Sequence, residues 1–207
     1  MLKTTYLLCA SLLSVALLAG CGSKEKEEEK KDEESVSALG AVSAMKEMAE
    51  QAEEMQKKGP VDAVDFRTLK ELLPADVDGL ARKEATGEKN GAAGMVISTA
   101  NAKYANEDGS ESIDLAIVDA GGTAMLMGLA AWSMVEIDKE TEHGYEKTST
   151  MGDYKSYEKY DNTDKDGEIS VLVAKRFVVT AKGRGVSMDK IKAAVEDIDL
   201  SKLAGLK

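Results

Sequence analysis

Three oxygen-bearing side chains stand at alternate positions in Asn162-Thr163-Asp164-Lys165-Asp166-Gly167-Glu168-Ile169. Alternate residues of a tight loop point inward together, and calcium takes six to eight oxygen ligands. A calcium ion held here would be bound by Asn162, Asp164 and Asp166, with Glu168 as a further ligand. Gly167 would supply the sharp turn, and Ile169 would root the loop in a core. The same residues also describe a plain acidic turn, because Asn, Asp and Gly form turns unaided. His143 is the single histidine and sits in the polar stretch Glu140-Thr141-Glu142-His143-Gly144. A zinc site needs a cluster of His, Cys or carboxylate ligands. A Ser-His-Asp triad would need His143 together with a Gly-x-Ser-x-Gly elbow, and no such elbow occurs. The 38 acidic residues offer many pairs for glycoside hydrolysis, so many that none stands out. Gly121-Gly122-Thr123 could present backbone N–H groups to an anion at a helix start. The Gly-Lys-Ser or Gly-Lys-Thr of a phosphate loop is missing, and Asp119 just before the glycines would repel phosphate.

The segment 162–169 resembles the first eight positions of an EF-hand calcium loop. The resemblance stops there. Position twelve, a bidentate Glu in that family, is Val173, and the flanks read as strands where the family has helices.

The amino terminus carries a different chemistry. Lys3 gives a positive start, residues 6–18 are an uncharged and mostly apolar run, and Ala19-Gly20 precede Cys21. This is the pattern of a secretory signal. The apolar run is short of the about 20 residues that a membrane span needs. Leu18-Ala19-Gly20-Cys21 resembles the lipobox of bacterial lipoproteins. The resemblance implies that the Cys21 thiol receives diacylglycerol, that a peptidase cuts before it, and that the new amine is acylated, palmitate being a usual acid. Two or more acyl chains anchor stably where one binds reversibly, at about 0.8 kcal/mol per buried methylene. Cys9 leaves with the signal and Cys21 is consumed by lipid, so no thiol or disulfide is expected in the mature chain. Gly22 follows the cysteine where one sorting scheme has an inner-membrane Asp. The acidic run 23–29 is similar to surface-export tags. An envelope location at the outer membrane is therefore expected, on its periplasmic face or at the cell surface.

The formal net charge is −11, and it becomes −12 once Lys3 departs with the signal. Such acidity disfavours nucleic acid, whose phosphates demand a basic surface. It also disfavours adsorption to anionic lipid by charge alone. One Trp, two Phe and six Tyr are few for the aromatic platforms of carbohydrate binding.

Four regions follow from the pattern: a signal over 1–20, a charged tether over 21–34, an amphipathic helix over 35–58, and a globular domain over 61–207. In the helix, apolar residues recur three or four apart from Val36 to Met55, and Gly59-Pro60 end it. In the domain, Asp65 caps a short helix over 66–73 that Pro74 stops. Strands are expected over 80–86, 95–104, 112–119, 145–150, 154–160, 168–174 and 176–180, with 87–91 as a turn. Helices are expected over 123–135 and 187–198, and a last turn from Asp199. Tyr104-Ala105-Asn106 and Tyr160-Asp161-Asn162 precede similar strands. They suggest a two-fold strand–helix pseudo-repeat. The expected fold class is α+β: an antiparallel sheet with helices on one face, preceded by the long amphipathic helix.

Residues 123–135 are apolar nearly all round. Such a helix is buried on two sides or faces a partner. Met125, Met127, Leu129 and Trp132 are the candidate groove for a partner or apolar ligand, since Met-rich surfaces adapt. Two functions remain in view. One is a membrane-anchored envelope lipoprotein whose domain binds a partner protein or an apolar ligand without catalysis and without a cofactor. The other is an envelope hydrolase that works through carboxylates, with or without calcium.

Overall fold

The computed structural model describes residues 62–92, 95–121 and 124–206, with the side chains of residues 92, 95, 124, 125 and 127 excepted, and the isolated positions 46, 49, 50 and 53. The signal, Cys21, the tether and most of the 35–58 helix lie outside the described residues. Lys46, Ala49, Glu50 and Glu53 within that helix are helical and exposed.

Alternating apolar residues write the sheet. Ile113, Leu115 and Ile117 are buried while Asp114 between them is exposed. The same period runs through Ile169, Val171 and Val173, and through Phe177, Val179 and Ala181. Fully burying a side chain of this size contributes about 1.5–3 kcal/mol each, so the alternation sets the register strongly. The strands are β1 (Asp76–Val77), β2 (Leu80–Ala92), β3 (Met95–Ala105), β4 (Ser112–Asp119), β5 (Asp138–Thr141), β6 (Gly144–Met151), β7 (Tyr154–Asp161), β8 (Asp166–Val173) and β9 (Phe177–Arg184). They form one nine-stranded sheet in the order β1-β2-β3-β4-β9-β8-β7-β6-β5. All neighbours are antiparallel. The chain meanders to β4, crosses to the far edge, and winds back until β9 closes against β4.

The helices are short: α1 (Phe66–Glu71), α2 (Ala124–Leu129), α3 (Met188–Glu196) and α4 (Leu200–Ala204). Asp65 and Ser187 cap α1 and α3, each side chain accepting from a backbone N–H, Arg67 at 2.8 Å and Lys190 at 3.3 Å. Leu69 of α1 and Met188, Ile191, Ala194 and Val195 of α3 bury against one face of the sheet, with Leu203 of α4. Leu126 and Ala130 belong to a separate cluster with Ala120 and Val178 on the other face. Phe177-Val178-Val179 is thus buried from both sides, which explains its unbroken apolar run.

The α+β expectation is corrected here. The protein is mainly β, a nine-stranded antiparallel sheet with short helices. α2 lies on the face opposite α1 and α3. The pseudo-repeat fails with it, because β3–β4 lead directly to α2 while β7–β8 lead to a further strand. The reason lies in the 123–135 segment. Its apolar all-round character looked like one long helix, but α2 stops at Leu129 and a 3-10 turn over Ala131–Met134 follows, with Ala130 between them at φ −116°. Residues 87–91 are also not a turn: they continue β2. The Phe66 ring lies over Gly87, where a Cβ would come within 2.6 Å of Phe66 Cδ2.

The β8–β9 connection holds Ala174 and Lys175 at φ 51° and 53°. Left-handed backbone costs an L-residue roughly 1–2 kcal/mol. Lys175→Gly relieves that cost, less the entropy glycine adds to the unfolded chain. The expected result is a gain of about 0.5–1 kcal/mol, read as a higher urea midpoint at unchanged slope.

Candidate binding face

The face of the sheet away from α1 and α3 carries a row of charges, one from each of eight strands. Glu84 pairs with Lys103, and Lys103 with Asp114. Asp114 pairs with Lys182, and Lys182 with Glu168. Glu168 pairs with Lys159, Lys159 with Glu146, and Glu146 with Lys139. The signs alternate without a break from β2 to β5, one strand spacing of about 4.8 Å apart. Of these facing positions, Lys182 and Glu168 come within ion-pair distance, at 3.1 Å, a cross-strand pair worth roughly 0.2–1 kcal/mol on a solvated face. Asp114 was visible in the sequence as an outward position between the buried Ile113 and Leu115. The row was not, because it exists only once the strand order brings β9 between β4 and β8.

Above this row lies one of small polar side chains, Thr86, Asn101, Thr180, Ser170 and Thr148, with Ala116 and Tyr157. Ser170 and Thr180 share a hydroxyl hydrogen bond at 3.0 Å. Below it the sheet curls into a trough of about 520 Å³ that reaches from Ser112 and Asp114 on β4 to Lys139 and Thr141 on β5.

The carboxylates of the trough are nearly all committed. Glu168 pairs with Lys182 at 3.1 Å. Glu146 accepts from the Tyr157 hydroxyl at 2.9 Å. Asp166 accepts from the Gly185 amide at 3.3 Å. Asp161 accepts from the Thr163 and Asp164 amides at 2.7 and 3.2 Å, and the Asp164 and Thr163 amides hold its carboxyl below the usual range. Asp114 is the exception. Among the described residues, Lys139, Lys159, Arg184 and Asp114 are the trough charges without a hydrogen bond or ion pair.

The opposite face holds a buried carboxylate. Glu158 of β7 is 3 % exposed and lies 2.9 Å from Lys192 Nζ of α3 and 3.8 Å from Lys147 Nζ. Ser149 Oγ and the Tyr145 hydroxyl donate to it at 3.3 and 3.4 Å. Burial, with the Glu158 charge adding to it, pushes the Tyr145 hydroxyl up to about 12. Burial and the hydrogen bond to Glu146 do the same for Tyr157, also to about 12. Both values stand above the ordinary tyrosine value of about 10. A proton held more tightly in the fold stabilises it fully below pH about 10, and that stability is lost as pH rises through 12. The expected result is a falling urea midpoint across that alkaline window. The fall is shallower in Tyr145→Phe, whose ring cannot ionise.

The calcium candidates are placed as follows. Asn162 and Asp164 are exposed in the β7–β8 turn, while Asp166 and Glu168 belong to β8. The sharp turn is made by Lys165 at φ 54°, not by Gly167, which is a strand residue. Among the described residues no group of three or more His, Cys, Asp or Glu is placed to hold a metal. His143 is exposed, its Nδ1 3.5 Å from Thr163 Oγ1. Asp119 does not face an anion site. It is wholly buried and accepts from the Val64 and Gly121 amides, each at 2.8 Å, and from Arg176. Of the groove candidates, Leu129 is exposed and Trp132 is half-buried, its ring 6.2 Å from Tyr157. The side chains of Met125 and Met127 lie outside the description.

No family model, curated protein or solved structure matches the chain.

Proposed function

We propose that the chain is a lipid-anchored envelope lipoprotein, acylated on Cys21 and held at the outer membrane, whose sheet domain is a non-enzymatic binding module. The observation that carries the binding role is the state of the charges in the trough. Three cations, Lys139, Lys159 and Arg184, are free against one free carboxylate, Asp114. The groups left available favour a small polar acid, a ligand that brings carboxylate or phosphate oxygens. The four committed carboxylates and the net charge of −11 limit how much negative charge that ligand can carry. Commitment of the carboxylates also favours binding over hydrolysis, since a hydrolase needs a free pair as acid and base.

Citrate and inorganic phosphate are suitable probes. Added to isotope-labelled protein, they are expected to shift the backbone amide resonances of Lys159, Lys182 and Arg184, with the effect weakening as salt rises. Lys159→Gln/Arg184→Gln should lose the response while keeping the fold. Amide resonances that move no more in the trough than on β2 would sink the reading. Attachment is tested separately, by intact mass of protein from its native host: the expected species begins at Cys21 and carries acyl chains.

A further inference from the structure

The two ends of the strands differ in character. At one end the chain joins the domain. Arg176 Nη2 donates to the Asp62 carbonyl at 3.0 Å, and the Val64 amide donates to Asp119 at 2.8 Å, beside Ala120 and Gly121. Ala120 and Gly121 stand at that same corner, α2 and the 3-10 turn over Ala131–Met134 follow, and none of the residues 120–135 is charged. Leu129 and Val135 in this cap are 40 and 43 % exposed, the two exposed large hydrophobic residues among the described residues. Trp132 lies between them, its Nε1 donating to the Leu129 carbonyl at 3.1 Å. The other end carries the trough and turns bearing Glu107, Asp108, Glu142, Asp161 and Asp164.

We infer that this uncharged cap is a membrane-docking surface, which seats the domain on the bilayer that holds the Cys21 lipid. The inference rests on the lipid attachment proposed above. Four features favour lipid as the occupant. The chain that leads back to Cys21 joins the domain at the corner where the cap begins. The cap's own residues bring no charge for a bilayer to strip of water, and Lys155, whose Nζ donates to the Ser133 carbonyl at 2.8 Å, has a stem long enough to keep its ammonium in water. Its Trp132 is the kind of side chain that settles where apolar and polar media meet. Most of the acidic turns, which anionic headgroups would repel, stand at the opposite end, Asp153 in the β6–β7 turn being at the cap end. An anchor some forty residues before the domain keeps the cap at high local concentration beside the bilayer, so a weak apolar contact suffices.

Trp132 is the only tryptophan, so its fluorescence reports on the cap alone. The acylated protein, purified from its host, is reconstituted into phosphatidylcholine vesicles with brominated acyl chains. Trp132 emission is expected to shift to the blue and to be quenched. Leu129→Asp/Val135→Asp, acylated and folded by circular dichroism, should fall back to the emission of Cys21→Ser protein without vesicles. Unquenched Trp132 in protein whose mass confirms the acyl chains overturns docking and leaves the anchor standing. A blue shift that follows protein concentration in Cys21→Ser without vesicles makes a second copy the occupant, and also overturns it. A mass without acyl chains overturns the anchor itself, and docking with it.

Discussion

Asp119→Ala is expected to destabilise the fold by about 3–5 kcal/mol, the range for removing one partner of a buried ion pair. Asp119 is wholly buried, and its two oxygens take four donors. Arg176 Nε reaches Oδ1 at 3.0 Å and Nη2 reaches Oδ2 at 2.8 Å. The Val64 and Gly121 amides complete the set. The alanine variant leaves the Arg176 side chain, 15 % exposed, with the Asp62 carbonyl alone, and two amides without their acceptor. The cost is therefore desolvation without compensation, not the loss of a surface pair, which is worth about 0–1 kcal/mol. Asp119→Leu/Arg176→Met should recover part of the loss and not all, because the Val64 and Gly121 amides stay unsatisfied. Urea midpoints measure both variants. Hydrogen exchange at the Val64 amide should accelerate even where the rest of the sheet stays protected, since that amide is what ties the incoming chain to β4. A loss under about 1 kcal/mol in Asp119→Ala would mean that the corner is held by packing alone.

That network shows why parts of the molecule were legible in the sequence and others were not. The seven expected strands all form, and the clearest is β4, where apolar residues alternate with polar ones over a core. α1 and α3 were legible from Asp65, Ser187 and Pro74, since capping and proline act within a few residues. The edge strands β1 and β5 were not. β5 is exposed at every position and holds its place by pairing with β6, so no burial pattern marks it. β2 runs on past Gly87 because of Phe66, twenty-one residues earlier, and a local reading takes that glycine for a turn. The site divides the same way. Local spacing pointed to Asn162, Asp164 and Asp166, yet the charge row and the trough depend on strand order. Asp119 was read as a charge before a glycine turn; its partner Arg176 is fifty-seven residues away.

The strand order also ties the trough to the core beneath it. Lys182 and Arg184 face the trough, and Gly183 between them faces α3. No other residue type leaves room for Ile191, which is fully buried there.

Gly183→Ala is accordingly expected to cost about 1–3 kcal/mol by overpacking, although alanine is ordinarily a mild replacement in a strand. Its Cβ would fall inside the envelope of Ile191 Cγ1 and 2.5 Å from Val186 Cγ2 and Ile191 Cδ1. Neither neighbour has space to yield, since Val186 begins the turn into α3 and Ile191 sits at the centre of the helix face. The strain must lift α3, and α3 carries Lys192, whose Nζ lies 2.9 Å from the buried Glu158. Ile191→Ala alone should cost about 2–5 kcal/mol through the cavity it leaves. In Gly183→Ala/Ile191→Ala the new methyl occupies part of that cavity. The double variant should then be more stable than the sum of the two single losses by about 0.5–3 kcal/mol, the range for residues in contact. Strict additivity of the urea midpoints would show that the strand, not the helix, absorbs the extra carbon, and Lys182 and Arg184 would then move in the trough while α3 stays in place.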